Sequence, residues 1–337
     1  MNPVAADAEA SALRDPAAFR DAVMQRCAPV VLRGVARDWP IIAGGDARAA
    51  AEQILAFDAG RQADLFVGTP DMAGRYRQDE ADVRSFNFVH QAMPFAQALR
   101  RILDTADMPG RDPLYMGSLT AETYLPGIEA LTPLPFVPPA VRPRFWFGHP
   151  SSVACHYDTM DNVACVVAGK RRFTLYPPDA IHDLYVGPID ITMAGQPVSL
   201  AASSTAPGDR YPRFEQVRHR ALVADLEPGD AIYIPKLWWH QVEATSSVNM
   251  LVNFWWDGFA AGPDQPYTTM LLAMIAIAER PPAERDAWRA WFDQYVFRPH
   301  GHPLAFLPPA QHGILGPLAD GNYGRIRAMV MRLLRLA

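Results

Sequence analysis

From residue 144 onward, short apolar runs alternate with turn signals at near-regular spacing, and that rhythm leaves few folds open. The runs 144–147, 153–156, 162–168, 171–176, 221–226, 231–234 and 249–255 read as strands. Turn signals such as Ala168-Gly169 and Pro228-Gly229-Asp230 separate them. Many short strands with regular turns predict a β-sandwich or barrel. A proline-rich surface crossing, TPLPFVPPAVRP at 132–143, precedes them. Upstream the texture is mixed. A helix opens at Asp15-Pro16 and runs to about Cys27, and 29–32 is a short strand stopped by Gly34. Segments 47–56 and 94–102 look helical and 114–119 looks like a strand. Downstream, 268–279, 283–296 and 325–336 are helical, and Trp288, Trp291, Phe292 and Tyr295 form a stripe at i, i+3, i+4, i+7.

Composition narrows the class. Of 337 residues 50% are hydrophobic and 20% charged, which excludes a mainly disordered or fibrous chain. Basic residues number 31 against 36 acidic, a net charge of −5, so no nucleic-acid partner is expected. Only Lys170 and Lys236 are lysine; the other basic residues are arginine. Cys27, Cys155 and Cys165 form no metal pair and no disulfide framework. No signal peptide is visible, and the most apolar stretch, 270–278, is far short of the roughly 20 residues that cross a bilayer. A cytoplasmic protein without membrane contact is expected.

The chemistry gathers in two places. In Cys155-His156-Tyr157-Asp158 the imidazole and the carboxylate are two apart, so in a strand they share a face. Alone, His-x-Asp is common. A third ligand appears in Pro235-Lys236-Leu237-Trp238-Trp239-His240, after the buried strand 231–234, where His240 would face the barrel interior. Two histidines and one carboxylate on one face of a metal leave positions open, the arrangement of non-haem Fe(II) oxygenases. The other histidines have a structural reading, with His149 the weak competitor. The segment 190–220 reads as a loop, at the entrance or simply on the surface.

The sequence around these residues resembles the JmjC/cupin-like oxygenases, and among them the asparaginyl hydroxylase that acts on hypoxia-inducible factor. The resemblance is carried by His156-Tyr157-Asp158, by Gly169-Lys170-Arg171-Arg172-Phe173-Thr174-Leu175-Tyr176-Pro177-Pro178, and by Pro228-Gly229-Asp230. Tyr233-Ile234-Pro235, Trp238-Trp239-His240 and Val252-Asn253-Phe254-Trp255 continue it, and Pro29 to Gly34 with Asp38-Trp39-Pro40 add an N-terminal signature. It implies a mainly β double-stranded β-helix (jelly roll) with an α/β elaboration at 1–110, the catalytic barrel at 111–260 and a C-terminal helical dimerisation region at 261–337. It implies Fe(II) held by His156, Asp158 and His240, and 2-oxoglutarate as co-substrate. Asn162 and Asn253 match polar residues near the co-substrate, and Tyr115 matches a tyrosine that binds its distal carboxylate. The lysine of the family that binds that carboxylate falls on Arg171 here. Strand alternation puts Arg171 with Phe173 and Leu175 on one face, and Lys170 on the other. An arginine can bind a carboxylate through two parallel hydrogen bonds.

The expected activity is hydroxylation of a C–H bond in a protein or peptide side chain. A small-molecule or natural-product hydroxylase is the alternative, and a non-catalytic metal-binding cupin module is a rival of another class. A homodimer is expected, built from residues after about 264.

Overall fold

The computed structural model describes residues 2–4, 8, 10–77, 85–190, 192, 195–204 and 210–336. It divides into two units, Met1–Gly258 and Phe259–Ala337.

The strands of the first unit are β1 (Asn2–Pro3), β2 (Val30–Leu32), β3 (Gln62–Gly68), β4 (Arg75–Tyr76), β5 (Phe88–Pro94), β6 (Leu114–Thr120) and β7 (Pro143–Gly148). They continue as β8 (Ser151–His156), β9 (Asp161–Ala168), β10 (Arg171–Tyr176), β11 (Leu222–Leu226), β12 (Ala231–Ile234), β13 (Trp239–Ala244) and β14 (Asn249–Trp256). Consecutive strands β7 to β14 fall into two antiparallel halves, β11-β10-β13-β8 and β12-β9-β14-β7. This is the double-stranded β-helix. Strands β1 and β4 extend the first half; β2 on one side and β6-β3-β5 on the other widen the second to eight strands.

The larger sheet is covered on both faces, which explains its composition. β9, DNVACVVA, is buried at every position. Its residues Ala164 and Val166 pack inward with Phe173, Leu175, Ala224, Leu226, Ile232 and Leu251 between the two halves. Val163, Cys165 and Val167 pack outward with Phe19, Trp39, Ile54, Leu99, Phe145 and Phe147. A strand covered twice reads as a continuous apolar run rather than an alternation.

The outer layer is set by local rules. Helix Pro16–Ala22 starts with proline in its first turn and Asp15 accepting from Ala18 N at 2.8 Å, a standard N-cap. It ends before the expected Cys27: a tight turn at Met24–Arg26 follows, and Cys27 takes φ of 46°. Helix Phe95–Thr105 buries Phe95, Ala98, Leu99, Ile102 and Leu103, the i, i+3, i+4, i+7, i+8 face.

In the second unit, a short turn joins helices Pro266–Ile277 and Pro282–Phe292, and a long segment, 293–321, with several single helical turns leads to helix Asn322–Leu336. Arg327 bonds Asp264 at 3.0 Å, and Tyr323 shares that carboxylate. Among the described residues of this unit only Asn322 is buried. No described helix is long and apolar enough to cross a membrane.

Candidate metal centre and adjoining pocket

His156 and His240 lie directly opposite each other in the β8–β13 pair. Their ring centroids are 4.4 Å apart. Asp158 joins them: its Oδ2 is 3.7 Å from His240 Nε2, and the potential ligand atoms of all three lie within 4.8 Å of one another.

The route to this geometry differs from simple strand alternation. β8 ends at His156, so Asp158 reaches the cluster from the turn before β9. In β8, His156 opposes His240 and Val153 opposes Val242, so two residues of one strand, Ala154 and Cys155, face one of the other, Gln241. That bulge turns both Val153 and His156 into the interior. His240 is not the end of the strand 231–234. It is the second residue of its own strand, β13, after a turn at 235–238.

Both imidazoles are oriented from behind. His156 Nδ1 donates to Ala154 O at 2.8 Å and His240 Nδ1 donates to Trp238 O at 3.0 Å. A carbonyl can only accept, so Nδ1 carries the proton and Nε2 presents its lone pair to the cluster. Burial lowers the pKa of His240 to about 4, with His156 acting in the same direction and Asp158 opposing. At neutral pH its ring is therefore free to ligate. Asp158 Oδ2 is buried without a hydrogen bond, a costly state for a carboxylate that a cation would relieve.

A second device holds the two ligand-bearing turns together, and sequence reading missed it. Leu237 N donates to Asp158 O at 2.8 Å, which requires Leu237 to adopt φ of 68°. Buried Asp161 accepts from Tyr233 Oη at 2.9 Å and pairs with Lys236 Nζ at 3.3 Å, and Lys236 also pairs with Asp257. The signal was available: Lys236 is one of two lysines in the chain.

The cluster opens on a cavity of about 130 Å³. Tyr115, Asn162, Arg171 and Asn253 all line it, so the structure brings every expected co-substrate residue to the triad. Arg171 points inward, is 4% exposed, and its Nε has no hydrogen-bond partner. Lys170 is exposed and bonds Glu227 at 2.7 Å, while Arg172 holds Asp225, as the alternation in β10 requires. Burial lowers the Arg171 pKa to about 10, which Tyr115 opposes; burial raises Tyr115 to about 12, which Arg171 opposes. Arg171 thus stays charged and Tyr115 stays a hydroxyl at neutral pH. Asn162 Oδ1 is buried without a partner, and Asn253 Oδ1 accepts from Trp146 Nε1 at 2.9 Å.

Of the aromatic group at 238–256, Trp239 and Phe254 are core and Trp255 lines the cavity. Gln196 and Val198, from the 190–220 segment, line it too; residues 191, 193, 194 and 205–209 of that segment lie outside the described residues. His149 is no ligand. It is buried, its Nε2 donates to Ile102 O at 2.9 Å, and its Nδ1 accepts from Leu114 N and Arg111 Nε at 3.2 Å each.

The sequence matches the family described as Cupin-like domain over residues 16–262. The chain belongs to the cupin-like family. Named relatives include a lysine-specific demethylase, JMJ31, of Arabidopsis thaliana, 35% identical over 115 residues, which is 34% of this chain and 20% of that protein. Jumonji C domain-containing protein 5 of Drosophila melanogaster is 33% identical over 121 residues, 36% of this chain and 29% of the relative. The tRNA wybutosine-synthesizing protein 5 of Danio rerio is 27% identical over 188 residues, 50% of this chain and 54% of the relative. This cupin-like chain thus spans between about a fifth and about half of the length of these relatives.

Proposed function

We propose that this protein is an Fe(II)- and 2-oxoglutarate-dependent oxygenase that hydroxylates a C–H bond, with a protein or peptide side chain as substrate. The observation that carries this reading is the pairing of two features in one cavity. His156, Asp158 and His240 offer two imidazole nitrogens and a carboxylate, and Arg171 is a buried guanidinium with an unbonded Nε and, among the described residues, no carboxylate partner. A metal-binding module without a keto-acid ligand gains nothing from that buried cation, which costs free energy unless something anionic meets it.

His156, Asp158 and His240 would hold the metal, and the bonds from Ala154 O and Trp238 O keep both rings in the ligating tautomer. Arg171 and Tyr115 would hold the distal carboxylate of 2-oxoglutarate, the first by charge and a two-pronged fork, the second by its hydroxyl. Bound there, Fe(II) with 2-oxoglutarate supplies O₂ activation and oxidation of a C–H bond, releasing succinate and CO₂. The apolar walls, Phe173, Val242 and Leu251, exclude water around the reacting groups.

The reading extends to assembly. The second unit exposes Trp288, Trp291, Val330, Leu333 and Leu334, and helix Pro266–Ile277 (PYTTMLLAMIAI) buries none of its residues. A second copy of this chain, pairing through residues after about 264, would cover these faces across a two-fold axis.

Substrate-free conversion of 2-oxoglutarate to succinate tests the activity. The expected result is Fe(II)-dependent turnover that disappears in His240→Ala and Asp158→Ala. Turnover that survives both substitutions, or needs no metal, would remove the triad from the account.

A further inference from the structure

A second guanidinium, half-buried, stands on β7 against residues that line the cavity. In β7, Phe145 and Phe147 pack into the outer core, so strand alternation puts Arg144 on the opposite face, the one it shares with the cavity-lining Trp146. Arg144 stands directly opposite Asn253 in the β7–β14 pair. Its guanidinium lies 5.1 Å from the centre of the Trp255 ring, and its Nη1 donates to Ser118 Oγ at 2.9 Å. Trp255, Ser118 and Asn253 all line the cavity that holds the triad.

The backbone is bent to make this arrangement. The β6–β7 register slips between Met116 and Leu119, and within that bulge Ser118 takes φ of 56°, an unfavourable conformation for a residue with a Cβ. Gly117 beside it has no room for a side chain: a Cβ would come within 2.7 Å of the Trp146 ring. A strained, closely packed bulge thus aims one hydroxyl at Arg144.

Among the described residues Arg144 has no carboxylate to answer its charge. Other arginines of this unit do: Arg142 has Glu122 at 3.4 Å, Arg172 has Asp225 at 2.7 Å and Arg220 has Asp179 at 2.6 Å. Among the described residues Arg144 forms no ion pair, although it is half-buried and burial lowers its pKa. Charge balance sharpens the point, and here the inference rests on the proposed function. A dication on the triad and a dianionic keto acid against Arg171 cancel; Asp158 cancels Arg171. One positive charge, Arg144, is left over.

We infer that Arg144, held by Ser118 and lying over the Trp255 ring, is a specificity-determining residue that binds a carboxylate of the oxidised substrate. With the guanidinium over the indole and only Nη1 given to Ser118, its other N–H groups are left for a charge-assisted carboxylate contact. The substrate class is therefore a molecule with a carboxylate near the oxidised carbon, either an acidic side chain of a peptide or a free organic acid.

Matched acid and amide probes test this: benzoate against benzamide, and end-blocked Ala-Asp-Ala against Ala-Asn-Ala. Binding to the full chain saturated with Mn(II) and 2-oxoglutarate is measured by calorimetry. The acid of at least one pair is expected to bind about tenfold or more tighter than its amide, the scale of one charge-assisted contact. Arg144→Gln should abolish the preference, and Arg144→Lys should keep part of it. The pair with the larger preference tells free acid from peptide. Ser118→Ala, which removes the anchor and not the charge, should weaken the preference, and it decides the matter should Arg144→Gln fail to fold. Equal binding of acid and amide in both pairs, a preference that survives Arg144→Gln, or no acid binding at millimolar concentration would overturn the inference. If the unsubstituted protein does not bind 2-oxoglutarate at all, the co-substrate reading fails instead, and the Mn(II)-loaded protein alone still reports on Arg144.

Discussion

The two units handle apolar surface in opposite ways. In Met1–Gly258 one sheet is covered on both faces, and Trp239, Phe145, Phe147 and Phe173 are all within 1% of full burial. In Phe259–Ala337 Trp291 is 60% exposed, Leu333 58% and Ile275 85%. The first unit satisfies its hydrophobic residues from its own chain, so its interior can fix side-chain positions to the tolerance a metal needs. The second has the composition of a core without the enclosure of one. The difference teaches that the proposed chemistry and the proposed assembly should be separable: substitutions in one unit should leave the other's property in place.

The largest expected effect comes from breaking the second unit's face. Leu333→Asp with Leu334→Asp should raise the dimer dissociation constant roughly a thousandfold, about 4 kcal/mol, because two charges would have to be desolvated at an apolar contact. Light scattering at micromolar concentration measures it. Mn(II) affinity should not change. A chain that is already a monomer before substitution would break the comparison.

Next is the staple under the metal centre. Lys236→Met leaves the buried Asp161 carboxylate without its cation and loosens the turns that carry Asp158 and His240. Mn(II) affinity should fall about 10–100-fold, the range for groups that orient metal ligands. Calorimetry on the folded variant measures this, with the dimer intact. Unchanged affinity would reduce Asp161–Lys236 to a packing detail.

The smallest effect is on pH. His149 is held neutral by burial, and its Nδ1 accepts two hydrogen bonds, so its pKa lies below the ordinary 6.5. Its contribution to stability is fully present above pH 6.5, the unfolded value, and is lost as pH falls toward the lowered native value. Denaturant unfolding of the first unit should show this decline below about pH 6.5, and His149→Gln should flatten it. A slope unchanged by that substitution would assign the decline to other groups.

How much of this was legible in the sequence depends on distance along the chain. Local signals carried the strands 171–176 and 231–234, the helix 47–55 and the inward side of Arg171, since alternation within one strand needs no partner. β13 was hidden because Trp238-Trp239-His240 reads as the end of the preceding strand, and only pairing with β8 and β10 reveals a new one. Strands β3 and β5 were missed for a related reason. β5, FVHQAMP, exposes five of its seven residues at the sheet edge and shows no apolar rhythm. The triad was found from residue type and order. Its actual construction, with a bulge in β8 and Asp158 on a turn, could not be read from a pattern that assumes a regular strand. Arg144 and Ser118 were missed because a lone arginine in a strand carries no signal until its missing counter-charge is seen.

The central claim is that the buried cation beside the triad exists to hold a keto acid. Calorimetric titration of 2-oxoglutarate into the Mn(II)-loaded protein tests it directly. Arg171→Ala should weaken binding about a hundredfold, a broken buried pair of roughly 3–5 kcal/mol softened by water entering the cavity. Arg171→Lys should fall between, since charge stays while the fork is lost. Lys170→Ala should change the affinity by less than about twofold, as expected of an exposed ion pair. Tight binding that survives Arg171→Ala, or that depends on Lys170 instead, would contradict the account.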